Sequence, residues 1–231
     1  MPIVGTPRFF HISFYKKYSI NHLFVQTLFY DNMTPMKIKD CHWLFVLIAT
    51  LLCIVINFGF NHLSTFILHI PLFLDTIGTV TLTFLYGIVP GLICALATTI
   101  TDSLIGGYFM QLPTLYVICS FSAVFICHAF KARIFDSDLL IVRLSYLFIL
   151  SMAMCIVISI LGGIIDSICM TYSDYKSNTP VASDFFKPNF IKLGLSKLGT
   201  NIISRFPINI IDRLVTAVVA YYLAVLGKAA K

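Results

Sequence analysis

Charged side chains are scarce in this sequence. They make up 11% of its 231 residues, whereas 58% are hydrophobic. Globular domains carry roughly 25% charged residues, and a soluble protein of this size needs more polar surface than this sequence supplies. The scarcity argues against an ordinary soluble domain. We therefore predict an integral membrane protein whose apolar side chains face lipid.

Enzyme signatures are also lacking. The sequence contains no HExxH, no GxSxG, no GxGxxG and no Walker loop, GxxxxGK followed by Ser or Thr, so it lacks the phosphate-binding loop used by one large class of ATPases. The six histidines show no metal-ligand spacing in a predicted helix, and the seven cysteines form no CxxC pair. We predict no catalytic residue, no cofactor, no bound metal and no nucleic-acid partner.

Long apolar runs dominate what is present. A spanning helix needs about 20 mostly apolar residues, and the runs predict an all-α membrane protein with a bundle of about six transmembrane helices. The second and third are short for a full crossing, so tilted, kinked or partly re-entrant helices are expected there. The predicted helices cover about residues 43–60, 71–86, from the break at 87–91 to 105, 113–130, 139–168 and 200–226.

Basic residues between these helices predict the orientation. With six crossings, three basic clusters fall on one side, as the positive-inside bias requires. The connection after the fifth helix also carries lysines, which departs from that bias. Both termini are therefore predicted to be cytoplasmic, in a multi-pass protein of the plasma membrane. The three clusters are Lys37 with Lys39, Lys131 with Arg133 and Arg143, and Lys228 with Lys231.

The first 35 residues differ from the rest. Residues 1–35 are aromatic-rich and mildly basic, and a short basic lead into the first apolar run begins at Met36. We expect residues 1–35 to be a dispensable N-terminal extension, with an interfacial amphipathic segment as the alternative. Residues 36–231 then form the six-helix membrane domain.

Charged groups at membrane depth cost about 2.5–3.5 kcal/mol on insertion scales and tend to face a cavity or a partner. Asp75 opens the second helix, where capping and a binding role are equally favoured. Asp102 ends the third helix beside a Gly-Gly break, and Asp166 lies near the outer end of the fifth. Either could be a plain interfacial residue, and we favour that interpretation slightly for Asp166.

Two charged residues of the sixth helix share one face. Arg205 and Asp212 are two helical turns apart, with Pro207 permitting a kink between them. One alternative is an ion pair that locks the helices, formed among Asp212, Arg205 and an acid elsewhere. The other is a polar lining for a bound ligand. Arg213 is expected to snorkel towards the cytoplasmic end.

Small residues repeat at intervals of four. Ala49 and Cys53 do so on the first helix, and Gly87, Gly91 and Ala95 do so across the second break. Such spacing lets helices approach closely. It fits either packing inside the bundle or a docking surface for another membrane subunit.

Two stretches show a family resemblance. The run PLFLDTIGTVTLTFLYGIVPGLICALATTITDSL contains an LDTIGT helix start, a Gly-x-x-Pro-Gly turn and a small-residue helix that ends at Asp102. FPINIIDRLVTAVVAYYL, from Phe206, closes the chain with an Asp followed by a basic residue. Together they resemble the substrate-binding S components of energy-coupling factor transporters, over roughly residues 40–228.

The resemblance implies a function. An S component takes up a vitamin or similar micronutrient through a pocket near the outer face. Its partners are a transmembrane coupling protein and two cytoplasmic ATPase subunits, which hydrolyse the ATP. Ala49 with Cys53 is the nearest match to the family's Ala-x-x-x-Ala docking pattern. The predicted substrate-binding residues are Phe60, Asp75, Asp102, Tyr108, Tyr116, Asn201 and Arg205.

Three other functions compete. A membrane sensor or anchoring module is one; such sensors are fused to a kinase or cyclase domain, and we expect no such domain here. A stand-alone secondary transporter is another, with Asp75, Asp102 or Asp212 coupling uptake to an ion gradient. A membrane-embedded enzyme would need clustered acids or histidines at the membrane surface, which the sequence does not show.

Overall fold

The computed structural model describes residues 41–68, 72–107, 109–172, 184 and 186–229. Within these ranges all regular secondary structure is helical. A π-helical turn, Leu63–Ile67, follows the first helix, and a 3-10 turn, Leu112–Tyr116, precedes the fourth. The helices are α1 Cys41–His62, α2 Ile77–Tyr86, α3 Ile88–Ile105, α4 Val117–Phe135, α5 Leu140–Tyr172, α6 Lys187–Lys192, α7 Lys197–Ile203 and α8 Phe206–Ala229.

Five helical segments of the described chain are long and apolar enough to cross a membrane. They have 18 to 33 residues each, and they are Trp43–His62, Ile88–Ile105, Leu112–Phe135, Leu140–Tyr172 and Lys197–Lys228. Their length and composition make this a helical, multi-pass membrane protein. Helix α2 is different, because its 10 residues extend only about 15 Å, roughly half of the hydrocarbon core.

Helix α2 lies in the middle of the bundle, packed against α1, α3, α4 and α8. Its residues 77–84 are all buried, which is possible because it carries no charge and its threonine hydroxyls are hydrogen-bonded, two of the three within the helix. Thr81 and Thr83 donate their hydroxyls to the carbonyls of Ile77 and Thr79, both at 2.8 Å. Buried hydroxyls satisfied in this way do not destabilise an apolar interior.

Close packing of α1 on α2 depends on a glycine. A Cβ atom at Gly78 would lie 2.8 Å from the carbonyl carbon of Cys53, so a larger residue would push the helices apart. Cys53 is 5% exposed and packs with Leu82, and Ala49 is half-buried against the same cluster. Cys53 is therefore buried inside the bundle and is not on the outer surface. The docking role of Ala49 with Cys53 stays a prediction.

The turn between α2 and α3 needs a second glycine. Gly87 has φ +95°, a conformation that residues with a Cβ rarely adopt. It reverses the chain within one residue, so α2 and α3 pack side by side. This is the break that the sequence predicted at residues 87–91.

The predicted last helix, 200–226, is interrupted. Helix α7 ends at Ile203, and α8 begins at Phe206 after a turn at Ser204 and Arg205. Pro207 explains the break, because proline has no N–H to donate and its ring clashes with the carbonyl four residues earlier, that of Ile203. The break places Arg205 at the end of a helix, where its side chain turns into the bundle.

Two predictions fall on residues outside the described ranges. These are the N-terminal extension, residues 1–35, and the candidate binding residue Tyr108. The connection before the last helix is described only in part, and it includes the short helix α6.

Candidate ligand-binding cavity

A cavity of about 580 Å³ lies between the helices. Its walls come from the end of α1, the start of α2, the end of α3, the start of α4, the last third of α5 and the start of α8. Since successive helices run in opposite directions, these parts meet at one end of the bundle. The charged residues that line it are Asp75, Asp102, Asp166, Asp184, Lys187, Arg205 and Arg213.

The cavity brings together four of the seven predicted binding residues: Asp75, Asp102, Tyr116 and Arg205. Two others are placed elsewhere. Phe60 is half-buried on α1, outside the lining. Asn201 is buried behind the wall, where its amide donates to the Ser167 hydroxyl at 2.9 Å. The seventh, Tyr108, is outside the described residues.

Arg205 forms one end of a buried polar cluster. Its Nε and Nη2 donate to the two carboxylate oxygens of Asp166, each at 2.8 Å, and Nη2 also donates to the Tyr116 hydroxyl at 2.8 Å. The Tyr116 hydroxyl in turn donates to Asp166. Asp166 is only 6% exposed, so the interpretation of it as a plain interfacial residue was wrong. The negative charge of Asp166 is balanced by the guanidinium of Arg205, which lies in the turn between α7 and α8.

A glycine makes room for that guanidinium. A Cβ at Gly162, one turn before Asp166 on α5, would lie 2.7 Å from Nη1 of Arg205. Gly163 lies against the backbone of Ile202 in the same manner, with 2.7 Å from its Cβ position to Cα. The Gly-Gly pair of α5 therefore holds the α7–α8 break close enough for Arg205 to reach Asp166.

A second cluster surrounds Arg213. It forms an ion pair with the adjacent Asp212, and its Nη1 donates to the Thr76 hydroxyl at 2.6 Å. Asp212 also accepts the backbone N–H of Leu74 at 2.9 Å, which ties α8 to the segment before α2. Arg213 is 3% exposed, so the expectation that it snorkels to the cytoplasmic end was wrong.

Arg205 and Asp212 therefore belong to separate pairs. Arg205 is paired with an acid elsewhere, Asp166, without Asp212, and it lines the cavity. Its predicted role in binding a ligand stays a prediction. Asp212 is fully buried and does not line the cavity. The break at residues 204 and 205 removes the continuous helical face on which their pairing was predicted.

The carboxylates of Asp75 and Asp102 make fewer hydrogen bonds and ion pairs than that of Asp166. Oδ1 of Asp75 is buried without a hydrogen-bond partner, and the nearest cation, Nη2 of Arg213, is 3.8 Å away. The N-cap position of α2 is Thr76, so Asp75 does not occupy it. Asp102 is half-buried, and among the described residues its carboxylate makes no hydrogen bond or ion pair. Both carboxylates line the same cavity.

Sequence reasoning missed Asn57, which supports the cavity wall from behind. It is fully buried, its amide donates to the hydroxyls of Thr79 and Thr98 at 3.0 and 3.1 Å, and its Oδ1 accepts the N–H of Gly78 at 2.6 Å. One side chain thus joins α1, α2 and α3. The signal was available, since an asparagine inside a long apolar helix needs polar partners.

The uncharged lining combines hydroxyl and amide side chains with aromatic and aliphatic ones. Phe73 and Tyr116 contribute rings, and Ala95, Ile158 and Met170 contribute apolar surface. In the described part of the chain no group of three or more His, Cys, Asp or Glu side chains is arranged to hold a metal ion. An apolar wall with a few placed polar groups is the usual form of a site for a small organic molecule.

Comparisons of the chain with protein-family models, with curated proteins and with solved structures gave no match.

Proposed function

We propose that this chain is the substrate-binding subunit of an energy-coupling factor transporter, and that it binds a vitamin or similar micronutrient in the cavity. The observation that carries the proposal is the cavity itself. Asp75, Asp102, Tyr116 and Arg205 line one space, although they lie on four separate parts of the sequence. The sequence predicts all four as binding residues.

The size of the cavity supports a small-molecule ligand. Its volume of about 580 Å³ is within the range of roughly 300–1,000 Å³ found for small-molecule sites. Buried ion pairs hold the walls in place, so the site is formed before a ligand arrives. A preformed site reduces the ordering entropy that binding must overcome.

The position of the cavity supports capture from outside the cell. It lies where α4 begins and α5 ends, at the opposite end of both helices from their connection at residues 136–139. That connection is flanked by Lys131, Arg133 and Arg143, and basic clusters of this kind face the cytoplasm. The cavity is therefore proposed to face the outer side of the plasma membrane.

In the proposed mechanism this chain supplies binding and selectivity and no chemistry. A transmembrane coupling protein and two cytoplasmic ATPase subunits would be its partners. ATP hydrolysis by the ATPases would reorient the chain and release the ligand inside. The free energy for release would thus come from subunits other than this one.

The experiment is to purify the chain alone in detergent, from cells grown in rich medium, and to identify co-purifying small molecules by mass spectrometry. A stoichiometric organic ligand is expected. The variant Ser120→Trp, which places an indole in the cavity, should purify without it. Ser145→Trp is the matched control, because Ser145 is exposed on α5, and this variant should retain the ligand.

A preparation free of ligand, with no thermal shift in a vitamin panel, would contradict the proposal. Equal ligand content in the Ser120→Trp and Ser145→Trp variants would show that the molecule binds elsewhere.

A stand-alone ion-coupled transporter is the second candidate, because Asp75 and Asp102 line the cavity with little compensation. Reconstitution of the chain alone in liposomes distinguishes the two. Uptake that follows a sodium or proton gradient without ATPase subunits would favour the second candidate. Binding without uptake favours the first.

A further inference from the structure

We propose that the ligand of this cavity is an organic cation whose positive charge is held between Asp75 and Asp102. The inference rests on the proposed function, since it names the substrate class of the same site. It is carried by the pattern of ion pairing around the cavity, which leaves these two carboxylates without a full counter-charge.

Each cation at the cavity already has an acid of its own. Arg205 is held by both oxygens of Asp166. Lys187 lies 2.7 Å from Asp184, and Arg213 is paired with Asp212. Three of the five acids at or behind the lining are thereby neutralised, among the residues that the structure describes.

The two remaining acids, Asp75 and Asp102, give the cavity a formal excess of negative charge. Asp75 is 3.8 Å from Arg213, but that guanidinium is already committed to Asp212 and Thr76. Asp102 has no cationic partner in the described part of the chain. A charge at membrane depth is costly unless it is compensated, and a bound cation between these acids would compensate both.

The surroundings favour an organic cation over a metal ion. Two carboxylates alone do not make a metal site, and the described residues contain no cluster of three potential ligands. Phe73, Ile158 and Met170 line the same cavity and offer apolar and aromatic contact to a carbon framework. An aromatic ring beside carboxylates is a favourable environment for an ammonium or a quaternised ring nitrogen. An anionic ligand would instead meet repulsion from Asp75 and Asp102.

The test measures binding of a charge-graded panel to the purified full chain in detergent at pH 7. The probes are thiamine and choline as cations, riboflavin as a neutral molecule, and biotin and folate as anions, followed by thermal shift and by calorimetry. The net charge of any co-purified molecule, identified by mass spectrometry, is the second readout. A cation is expected in one or both, and these measurements need no variant.

The variants then locate the charge. Asp75→Asn and Asp102→Asn preserve shape and remove one charge each, and each is expected to weaken binding of the cation about tenfold to a hundredfold, as for the loss of a charge-assisted hydrogen bond. Asp102→Asn disturbs no ion pair among the described residues, so its folding is expected to be unchanged. Asp138→Asn is the matched control, because Asp138 is exposed in the connection at residues 136–139, at the end of the bundle opposite the cavity; a change of less than about threefold is expected there.

The outcomes separate the two proposals. A cation that loses affinity in Asp75→Asn and Asp102→Asn, and keeps it in Asp138→Asn, supports the inference. A neutral or anionic ligand bound stoichiometrically overturns the inference but does not contradict the proposed function. The same holds for a cation whose affinity is the same in all three variants. The absence of any ligand overturns the proposed function and the inference with it.

Discussion

Arg205 and Asp166 are 39 residues apart in sequence and are joined by two hydrogen bonds of 2.8 Å, in a buried bidentate ion pair. The pair connects the break before the last helix to the long helix α5. Tyr116 shares both partners, so three elements of the cavity wall meet at one point. This geometry leads to the first prediction.

Asp166→Asn is expected to destabilise the protein by about 3–5 kcal/mol, because it leaves the Arg205 guanidinium buried without a counter-charge. Thermal unfolding of the purified protein in one detergent measures the effect. Replacing both partners, as in Asp166→Leu with Arg205→Met, should recover most of the loss. A single variant as stable as the wild type would show that the pair does not form.

Gly162→Ala is expected to displace Arg205, because the added methyl group would lie 2.7 Å from its Nη1 atom. Both the unfolding temperature and the content of any co-purified ligand should fall. Gly59→Ala is the matched control, since no atom lies within 4 Å of the Cβ position at Gly59. That variant should be as stable as the wild type or up to about 1 kcal/mol more stable, because alanine favours the helix. Equal behaviour of the two variants would contradict the packing.

Asn57→Leu is expected to cost about 2–4 kcal/mol. It removes three hydrogen bonds of about 1 kcal/mol each and leaves buried groups of α2 and α3 without their partner. Thr99→Val is the control, because the Thr99 hydroxyl bonds only to the Ala95 carbonyl of its own helix. Thermal unfolding compares the two, and a similar small effect in both would argue against the joining role of Asn57.

Asp212→Asn and Asp184→Asn should differ strongly in their effect on stability. Asp212 is fully buried beside Arg213, and removal of its charge should cost about 3–5 kcal/mol. Asp184 is partly exposed in its pair with Lys187, and the same change there should cost at most about 1 kcal/mol. Chemical denaturation of both variants in one detergent measures the difference. Equal midpoints would contradict the structure, because they would mean that the Asp212 carboxylate is exposed to solvent.

Periodicity and apolar length predicted most of the helices. α1, α3, α4 and α5 begin and end within a few residues of their predicted limits, because an apolar run bounded by Gly, Pro or charge leaves few alternatives in lipid. The second helix was predicted from residue 71 and begins at Ile77. A run of apolar residues does not distinguish helix from the irregular segment before α2, in which Leu74 has φ +46° and donates its N–H to Asp212.

Four of the seven predicted binding residues line the cavity, and the sequence did not specify the partners of their side chains. Asp75, Asp102, Tyr116 and Arg205 could be chosen from the sequence because charge and aromatic polarity are unusual at membrane depth. Their partners could not, since an ion pair such as that of Arg205 with Asp166 depends on which helices touch. Asn57 could have been chosen by the same criterion, but its partners on α2 and α3 could not.

The sequence by itself determined that this is a helical membrane protein and which of its residues are too polar to face lipid. Both follow from composition and local order along the chain, where the cost of exposing a backbone or a charge to hydrocarbon acts on each segment separately. Only the tertiary structure decided how those polar residues are satisfied: Asp166 by Arg205, Asp212 by Arg213, Asp75 only by a 3.8 Å contact with Arg213, and Asp102 by no cation among the described residues. Pairing is a property of the distances between helices, and a sequence without those distances leaves it open.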